Sequence, residues 1–153
     1  MTEKKKILVI GGSAAGPKSA AKARRIDNDA EVIILQKEAD LSMASCGYPY
    51  YVGGYFDDRN ALLCTSTGVV RNPLFYLNAK DIDARVNTEV TNINTKDHSV
   101  SFKNAVSGET GTLTYDKLII ATGAVPRMPP VPGTDLDGIT TLQSMKDADF
   151  LRK

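Results

Sequence analysis

Near its amino terminus the chain reads Ile7-Leu8-Val9-Ile10-Gly11-Gly12-Ser13-Ala14-Ala15-Gly16, an apolar run that meets a glycine-rich turn. A short continuous apolar run of this kind is typical of a buried parallel strand. The segment from Ala14 to Ile26, rich in Ala, Lys and Arg, predicts a helix, and Val32-Ile33-Ile34-Leu35 predicts a second buried strand. Because strand, helix and strand within about 30 residues form a βαβ unit, this part of the chain predicts an α/β fold.

The glycine-rich turn has the arrangement of a dinucleotide-binding loop. Gly11 permits a tight turn and Gly16 permits close packing of helix on strand, while small residues between them let backbone N–H groups approach a pyrophosphate. Ser13 replaces the middle glycine of the usual pattern, and its hydroxyl could donate to a phosphate. Gln36 ends the second strand, where an acidic residue normally holds the ribose hydroxyls. A turn kept for packing alone is the alternative, but the position between strand and helix favours nucleotide binding.

The second half of the chain predicts a different kind of sheet. From Val86 onward, short apolar segments are separated by the turn-like stretches Asn94–Asp97 and Ser107–Glu109, which predicts a three-stranded antiparallel meander. Leu118-Ile119-Ile120-Ala121 then predicts another buried strand, and the proline-rich stretch 126–133 predicts an extended segment without regular structure.

Two further helices are predicted outside the βαβ unit. One covers Asn72 to Lys80, with Pro73 near its start. The other begins at Ser144, which with Asp147 has the spacing of a capping box. We expect this last short helix to have nothing to dock against and therefore to be marginal.

Composition is that of an ordinary globular domain. The chain has 153 residues, 42% hydrophobic and 24% charged, with a formal net charge of +1, so composition gives no argument for a nucleic acid or a membrane surface as partner. No apolar run approaches the ~20 residues of a membrane span, and the amino terminus lacks the shape of a secretory signal. Two cysteines without a framework pattern predict a cytoplasmic location, and the single histidine, His98, predicts no metal site.

Cys46 stands in Ser42-Met43-Ala44-Ser45-Cys46-Gly47-Tyr48-Pro49-Tyr50-Tyr51, where a short helix is predicted to begin at Ser45 or Cys46. Tyr50 and Tyr51 fill the positions at which a second cysteine would form a redox pair. A redox role for Cys46 therefore requires another electron carrier, and the alternative is a small buried side chain. For Cys64, which follows Leu62-Leu63, a place in the core is the favoured interpretation.

Three motifs together carry a family resemblance: the glycine-rich loop, Cys46, and Tyr115-Asp116-Lys117-Leu118-Ile119-Ile120-Ala121-Thr122-Gly123-Ala124. The chain resembles the N-terminal part of an FAD-dependent pyridine nucleotide-disulfide oxidoreductase. It is similar to the single-cysteine branch of coenzyme A-disulfide reductases, persulfide reductases, and NADH oxidases and peroxidases. The resemblance covers roughly residues 5–150. It implies a Rossmann-like FAD-binding domain with a parallel sheet and the three-stranded meander as a crossover.

The resemblance also implies roles for individual residues. Cys46 would be the redox nucleophile beside the flavin, since the thiolate is the reactive form of cysteine. The residues implied to contact FAD are Gly11, Gly12, Ser13, Ala14, Ala15, Gly16, Gln36, Lys37, Val90 through its backbone, Ala121, Thr122 and Gly123. The residues implied to contact coenzyme A are Lys18, Lys22, Arg25, Ser42, Ser45 and Lys80. Three of these cations share one helix face and suit phosphates, although an ordinary solvated face is the alternative.

Some parts that the family implies are not found in this sequence. It contains no second glycine-rich fingerprint for NAD(P)H, no Gly-Asp dipeptide of the kind that closes over the flavin, and no dimerisation domain. We therefore expect residues 1–153 to be the N-terminal segment of a split FAD-binding domain that is inactive alone and holds FAD weakly. The intact enzyme would be a homodimer in which NADH or NADPH reduces FAD.

The expected substrate of the intact enzyme is coenzyme A disulfide or a persulfide. One alternative is an NADH oxidase or peroxidase that cycles Cys46 through sulfenic acid. The other is a nucleotide-binding module without turnover.

Overall fold

The computed structural model describes residues 4–153 as two sheets with helices around them. Four parallel strands form the first sheet, in the order β3-β2-β1-β7. Its strands are β1 (Lys6–Ile10), β2 (Glu31–Leu35), β3 (Asp83–Arg85) and β7 (Lys117–Ile120). The second sheet is the antiparallel meander of β4 (Thr88–Asn94), β5 (Ser99–Asn104) and β6 (Thr110–Thr114). The helices are α1 (Ala15–Ile26), α2 (Tyr48–Val52), α3 (Pro73–Lys80) and α4 (Met145–Leu151), with 3-10 turns at Ser45–Gly47 and Arg59–Leu62.

The prediction of an α/β fold with a parallel sheet and a three-stranded meander is confirmed. The meander lies in the chain between β3 and β7, so it is the crossover that connects two strands of the parallel sheet. Among the helices of residues 4–153, none is long and apolar enough to cross a membrane.

The parallel sheet is covered on both faces, which explains the unbroken apolar runs of β1 and β2. One face packs against α1, whose buried residues include Ala20, with Val9 and Ile34 beneath it. The other face packs against the meander through Val100 and Phe102. The side chains of residues 8–10 and 32–35 are therefore buried whichever face they point to, whereas Lys6 and Glu31 begin the strands and are more exposed.

Two strands differ from the sequence expectations. The strand predicted at Leu118–Ala121 forms, but it is not fully buried, since Ile120 is 61% exposed. The reason is its position at the edge of the described sheet, where β1 is its only paired neighbour. The short strand β3 was not predicted, because Asp83-Ala84-Arg85 has one buried apolar side chain and no apolar run.

The expectation that the last helix has nothing to dock against is wrong. Met145 and Ala148 of α4 are buried in a cluster with residues from the segment that carries Cys46. The cluster contains Met43, Tyr48 and Tyr51 from that segment, residues 40–59, and Leu62 and Leu63 from the end of the 3-10 turn that follows it. Arg152 also lies over the Tyr51 ring, at 4.4 Å from its centroid. Helix α4 is therefore stabilised by tertiary packing, which its length alone does not reveal.

The capping box at the start of α4 is confirmed and has a pH dependence. Asp147 accepts hydrogen bonds from the backbone N–H groups of Gln143 (2.9 Å) and Ser144 (2.8 Å). The Gln143 bond, followed by those of Ser144, outweighs burial and places the pKa of Asp147 below its ordinary value of 3.8. A carboxylate with a lowered pKa stabilises the fold at neutral pH, and the stabilisation is lost as pH falls through that lowered value.

We expect Asp147→Asn to weaken the start of α4 at neutral pH, because the amide is a poorer acceptor and has no charge for the helix dipole. Amide hydrogen exchange of residues 145–151 should be faster than in the natural protein, and the difference should vanish below the pKa of Asp147. The matched control is Asp135→Asn, an exposed carboxylate in the irregular segment. Equal exchange in both variants at neutral pH would contradict the role of the cap.

Candidate functional site

The glycine-rich loop lies between the start of α1 and the end of β7. Gly11 has φ of +105°, and a Cβ there would collide with the carbonyl oxygen of Ala121. A Cβ at Gly16 would collide with the carbonyl oxygen of Gly11. The two glycines therefore allow loop, helix and strand to approach one another more closely than any other residue would permit.

The amino terminus of α1 has free hydrogen-bond donors. Ala14 provides no side-chain cap, and the first turn contains no acidic residue. The backbone N–H groups of Ser13 and Ala14 have no acceptor within the described part of the chain. Since unpaired N–H groups and the helix dipole both favour an anion, this helix start is suited to a phosphate group.

A cavity of about 560 Å³ opens in front of the loop. It is lined by eight of the twelve residues expected to contact the nucleotide: Gly11, Gly12, Ser13, Gln36, Lys37, Ala121, Thr122 and Gly123. The structure does not bring the other four into the lining. Ala14, Ala15 and Gly16 lie at the start of α1, and Val90 packs with the core layer between sheet and meander.

Sequence reasoning missed part of the lining. Asn87, Glu89 and Ala105 come from the start of the meander and the turn after β5, and the residues Gln143, Ser144, Met145, Lys146 and Asp149 come from α4 and its cap. Glu38, Ala39 and Asp40 directly follow expected residues in sequence. Met43, Tyr48 and Arg59 come from the segment that carries Cys46, and Ala124 completes the wall. Of these residues, only Glu38, Ala39 and Asp40 could have been predicted from the sequence, because they adjoin residues that were already expected to line the site.

Each basic side chain in the cavity lining is paired with a carboxylate. Lys37 contacts Glu89 at 2.9 Å, and the hydrogen bond and charge of Glu89 raise the pKa of Lys37. Lys146 contacts Glu38 at 3.4 Å. The third is Arg59, which contacts Asp40 at 2.7 Å. A diphosphate in this cavity would therefore be held chiefly by backbone N–H groups and the dipole of α1.

The side-chain amide of Gln36 already makes two hydrogen bonds to the backbone, one of them to the glycine-rich loop. Its Oε1 accepts from the N–H of Gly12 at 2.8 Å, and its Nε2 donates to the carbonyl of Asp40 at 3.1 Å. An amide keeps a second acceptor lone pair and a second N–H. Gln36 thus supports the shape of the loop and retains capacity for one further bond to a ribose hydroxyl.

The segment that carries Cys46 is anchored to the same loop. The N–H of Ser42 donates to the carbonyl of Gly12 at 2.7 Å, with Ser42 in the left-handed region at φ of +55°. Cys46 lies in the 3-10 turn before α2, and its side chain is exposed. A Cβ at Gly47 would meet the Cδ2 atom of Leu62, so a larger residue there would require the Leu62 side chain to move. Cys46 does not line the cavity, although Tyr48, two residues later, does.

The residues expected to contact coenzyme A lie outside the cavity. Lys18, Lys22 and Arg25 are exposed on α1, and no carboxylate of residues 4–153 pairs with them. Ser45 is exposed beside Cys46, whereas Ser42 is half-buried. Lys80 lies at the end of α3, with its Nζ 5.6 Å from the Phe75 ring centroid.

The ends of α1 and α3 are joined by a side chain that the sequence did not single out. Arg24 donates to the carbonyl of Asp81 at 2.6 Å, and its guanidinium also pairs with the Asp81 carboxylate at 3.3 Å. Asp81, the residue after Lys80, is thereby tied to the last turn of α1. Across the part of the chain that the structure covers, no group of three His, Cys, Asp or Glu side chains could hold a metal ion.

The parallel sheet, the glycine-rich loop at the end of β1 and the free start of α1 define a dinucleotide-binding α/β domain. The family model of the pyridine nucleotide-disulphide oxidoreductases matches residues 5–153, and the chain belongs to that family. The family consists of flavin oxidoreductases that depend on FAD, and the backbone cradle fits the diphosphate of such a cofactor.

Individual relatives agree with this assignment. The chain is 37% identical over 147 residues to a coenzyme A disulfide reductase of Staphylococcus haemolyticus, covering 96% of this chain and 31% of the relative. It is 29% identical to an NADH oxidase of Methanocaldococcus jannaschii, covering 95% and 31%. The solved NAD-dependent persulfide reductase from A. fulgidus superposes with a TM-score of 0.87 at 38% identity, covering 94% and 26%. The chain thus spans under a third of the length of these proteins.

Proposed function

We propose that this chain forms the start of the FAD-binding domain of an NAD(P)H-dependent enzyme that reduces coenzyme A disulfide or a persulfide through Cys46. The observation that carries the proposal is the 2.7 Å hydrogen bond from the N–H of Ser42 to the carbonyl of Gly12, which ties the segment that carries Cys46 to the glycine-rich loop four residues before the thiol. A thiol and a nucleotide cradle held by one hydrogen-bonded segment suit electron transfer between cofactor and sulfur. The activities for which the Staphylococcus haemolyticus and A. fulgidus relatives are named support the same class of substrate.

When bound, FAD supplies a two-electron carrier between the pyridine nucleotide and sulfur. The thiolate of Cys46 attacks one sulfur of the substrate disulfide, which forms a mixed disulfide and releases one thiolate. Two electrons and a proton from NAD(P)H then break the mixed disulfide, release the second thiol and regenerate the Cys46 thiolate. With a persulfide, the same attack transfers the outer sulfur to Cys46, and reduction releases it as hydrosulfide. Exposure of Cys46 gives the substrate access to the sulfur.

The exposed cations of α1 favour a phosphate-bearing substrate. Lys18, Lys22 and Arg25 have no carboxylate partner in residues 4–153, so their charges are available to the phosphates of coenzyme A. Dioxygen and peroxide need no such face. The Methanocaldococcus jannaschii relative keeps the alternative of an NADH oxidase that cycles Cys46 through sulfenic acid. The homodimer, the cytoplasmic location and the inactivity of residues 1–153 alone stay predictions.

The test uses the protein expressed from its complete gene, purified with FAD. Oxidation of NADH and of NADPH is followed with coenzyme A disulfide, coenzyme A persulfide, dioxygen and hydrogen peroxide as acceptors. We expect kcat/KM to be highest with one of the two sulfur acceptors. A higher kcat/KM with dioxygen or peroxide would contradict the proposal and favour the oxidase alternative.

The basic face gives a sharper prediction. Replacing Lys18, Lys22 and Arg25 together by Glu should raise KM for coenzyme A disulfide by at least about tenfold, because attraction of the phosphates becomes repulsion. Turnover of a small disulfide without phosphates should be unchanged. The matched control replaces three exposed cations elsewhere, Lys96, Lys103 and Arg127, by Glu. Equal KM values for coenzyme A disulfide in the two triple variants would show that the α1 cations do not bind the substrate and form an ordinary solvated helix face.

A further inference from the structure

An ion pair closes the base of the segment that carries Cys46. Nη2 of Arg59 lies 2.7 Å from Oδ2 of Asp40, and both residues line the cavity. Asp40 follows the end of β2, while Arg59 begins the second 3-10 turn. The ion pair therefore joins the two ends of segment 40–59, and Cys46 lies between them.

The same guanidinium contacts α4. Nη1 of Arg59 lies 3.8 Å from Oδ2 of Asp149, and the other oxygen of Asp149 accepts from the Tyr51 hydroxyl at 3.0 Å. Tyr51 belongs to α2, the helix that directly follows Cys46. One arginine thus connects the start of the segment, its end, and the helix against which its middle packs.

The contacts of Arg59 come with an energetic cost. Its Nε is buried and has no acceptor among residues 4–153. An unpaired buried donor is unfavourable, so the attraction of the carboxylates of Asp40 and Asp149 must hold the guanidinium in this place. A lysine has one compact charge and cannot engage two carboxylates with the planar geometry of a guanidinium.

Tyr48 links this junction to Cys46. It follows Cys46 by two residues, lines the cavity and is 5% exposed. Burial, and next the negative charge of Asp40, raise the pKa of Tyr48. Its ring packs with Met43 and Met145 in the cluster beneath the segment. Asp40, Arg59 and Tyr48 thus line the same cavity, with Tyr48 two residues from the thiol.

We propose that Arg59 is a positioning residue for Cys46. It fixes segment 40–59 against the cavity wall and so sets the place of the thiol relative to a cofactor bound there. The proposal rests on the proposed function of Cys46 as the redox nucleophile. It assigns Arg59 no contact with the substrate.

The test compares Arg59→Gln and Arg59→Lys in the protein expressed from its complete gene. The matched control is Arg85→Gln, which breaks the 2.7 Å ion pair with Asp83 outside the cavity. Two measurements need no bound flavin: amide hydrogen exchange of residues 41–58, and the rate of Cys46 alkylation by iodoacetamide. The third is kcat and KM for coenzyme A disulfide with FAD bound.

In Arg59→Gln we expect amide hydrogen exchange of residues 41–58 to be faster by at least about tenfold, since the ion pair that joins the two ends of the segment is lost. The alkylation rate of Cys46 should change as well, and kcat should fall by at least about tenfold while KM for NAD(P)H is unchanged. In Arg59→Lys, the exchange rate, the alkylation rate and kcat should each be intermediate between those of Arg59→Gln and those of the natural protein. Asp40→Asn should shift the same measurements in the same direction by a smaller amount, because Asp149 still faces the guanidinium. The double variant should be no worse than Arg59→Gln alone, because Arg59→Gln already removes the interaction with Asp40.

Natural exchange, alkylation and kcat in Arg59→Gln would overturn the proposal. Equal losses in Arg59→Gln and Arg85→Gln would also overturn it, because they would indicate general destabilisation. Should Arg59→Gln fail to fold, Arg59→Lys and Asp40→Asn decide the question by the same measurements. Full turnover of Cys46→Ser would contradict the proposed function itself, whereas an inactive Cys46→Ser beside a natural Arg59→Gln would overturn only the positioning role.

Discussion

Gly11→Ala is expected to lower the affinity for FAD by at least about a hundredfold, which corresponds to roughly 2.8 kcal/mol. Two effects add. The backbone at Gly11 has φ of +105°, which a residue with a Cβ adopts only under strain, and that Cβ would collide with the carbonyl oxygen of Ala121. Relief of the collision must separate the loop from the end of β7, and both line the cavity.

The measurement is bound flavin per polypeptide, from visible absorbance, together with a fluorescence titration of FAD. Gly68→Ala is the matched control, because Gly68 also has a positive φ of +82°, but a Cβ there would meet no atom of the described chain within 4 Å. It lies outside the cavity lining, so its flavin content should be natural. Stoichiometric flavin in Gly11→Ala would refute the placement of the diphosphate at this loop.

A second variant separates loss of binding from loss of folding. Ser13 is exposed and lines the cavity. Ser13→Glu would place a carboxylate at the start of α1, where the helix dipole tolerates it, so the fold should persist. The same carboxylate would repel a diphosphate, and the affinity for FAD should fall while circular dichroism is unchanged.

The sequence predicted those parts of the fold that depend on local pattern. The apolar runs of β1 and β2 are buried on both faces, so their composition alone is informative. The capping box of Ser144 and Asp147 is equally local. By contrast, β3 forms because Asp83–Arg85 pairs with Ile33, Ile34 and Leu35 of β2. The sequence of Asp83–Arg85 itself contains no pattern that predicts a strand.

The candidate site divides in the same way. The loop and Gln36 are close in sequence to the strands that position them, and they line the cavity as expected. Asp149 comes to the wall because α4 packs on the segment of Cys46, and Arg59 is held there by its ion pairs with Asp40 and Asp149. No local pattern in the sequence predicts these contacts. The edge position of β7, which leaves Ile120 exposed, likewise depends on strand order and not on composition.

Cys46→Ser is expected to lower turnover of coenzyme A disulfide by at least about a thousandfold, because a serine hydroxyl neither attacks the disulfide at neutral pH nor forms a mixed disulfide with the substrate. The exposed side chain makes few contacts that the smaller oxygen would lose, so folding and flavin content should be natural. Reduction of the flavin by NAD(P)H should also be natural, since that step precedes the sulfur chemistry.

Cys64→Ser is the matched control for this loss. Cys64 is the chain's other thiol, half-buried and in a β-bridge with Val70, and it belongs to neither the 3-10 turn of Cys46 nor the cavity lining. The Cys64→Ser variant should keep its turnover of coenzyme A disulfide within about twofold of that of the natural enzyme, after correction for any loss of stability. Full disulfide turnover in Cys46→Ser would remove Cys46 from the mechanism. If instead Cys46→Ser consumes dioxygen and accumulates hydrogen peroxide that the natural enzyme reduces to water, the missing step is the one that passes through a sulfenic acid, and the oxidase alternative is favoured.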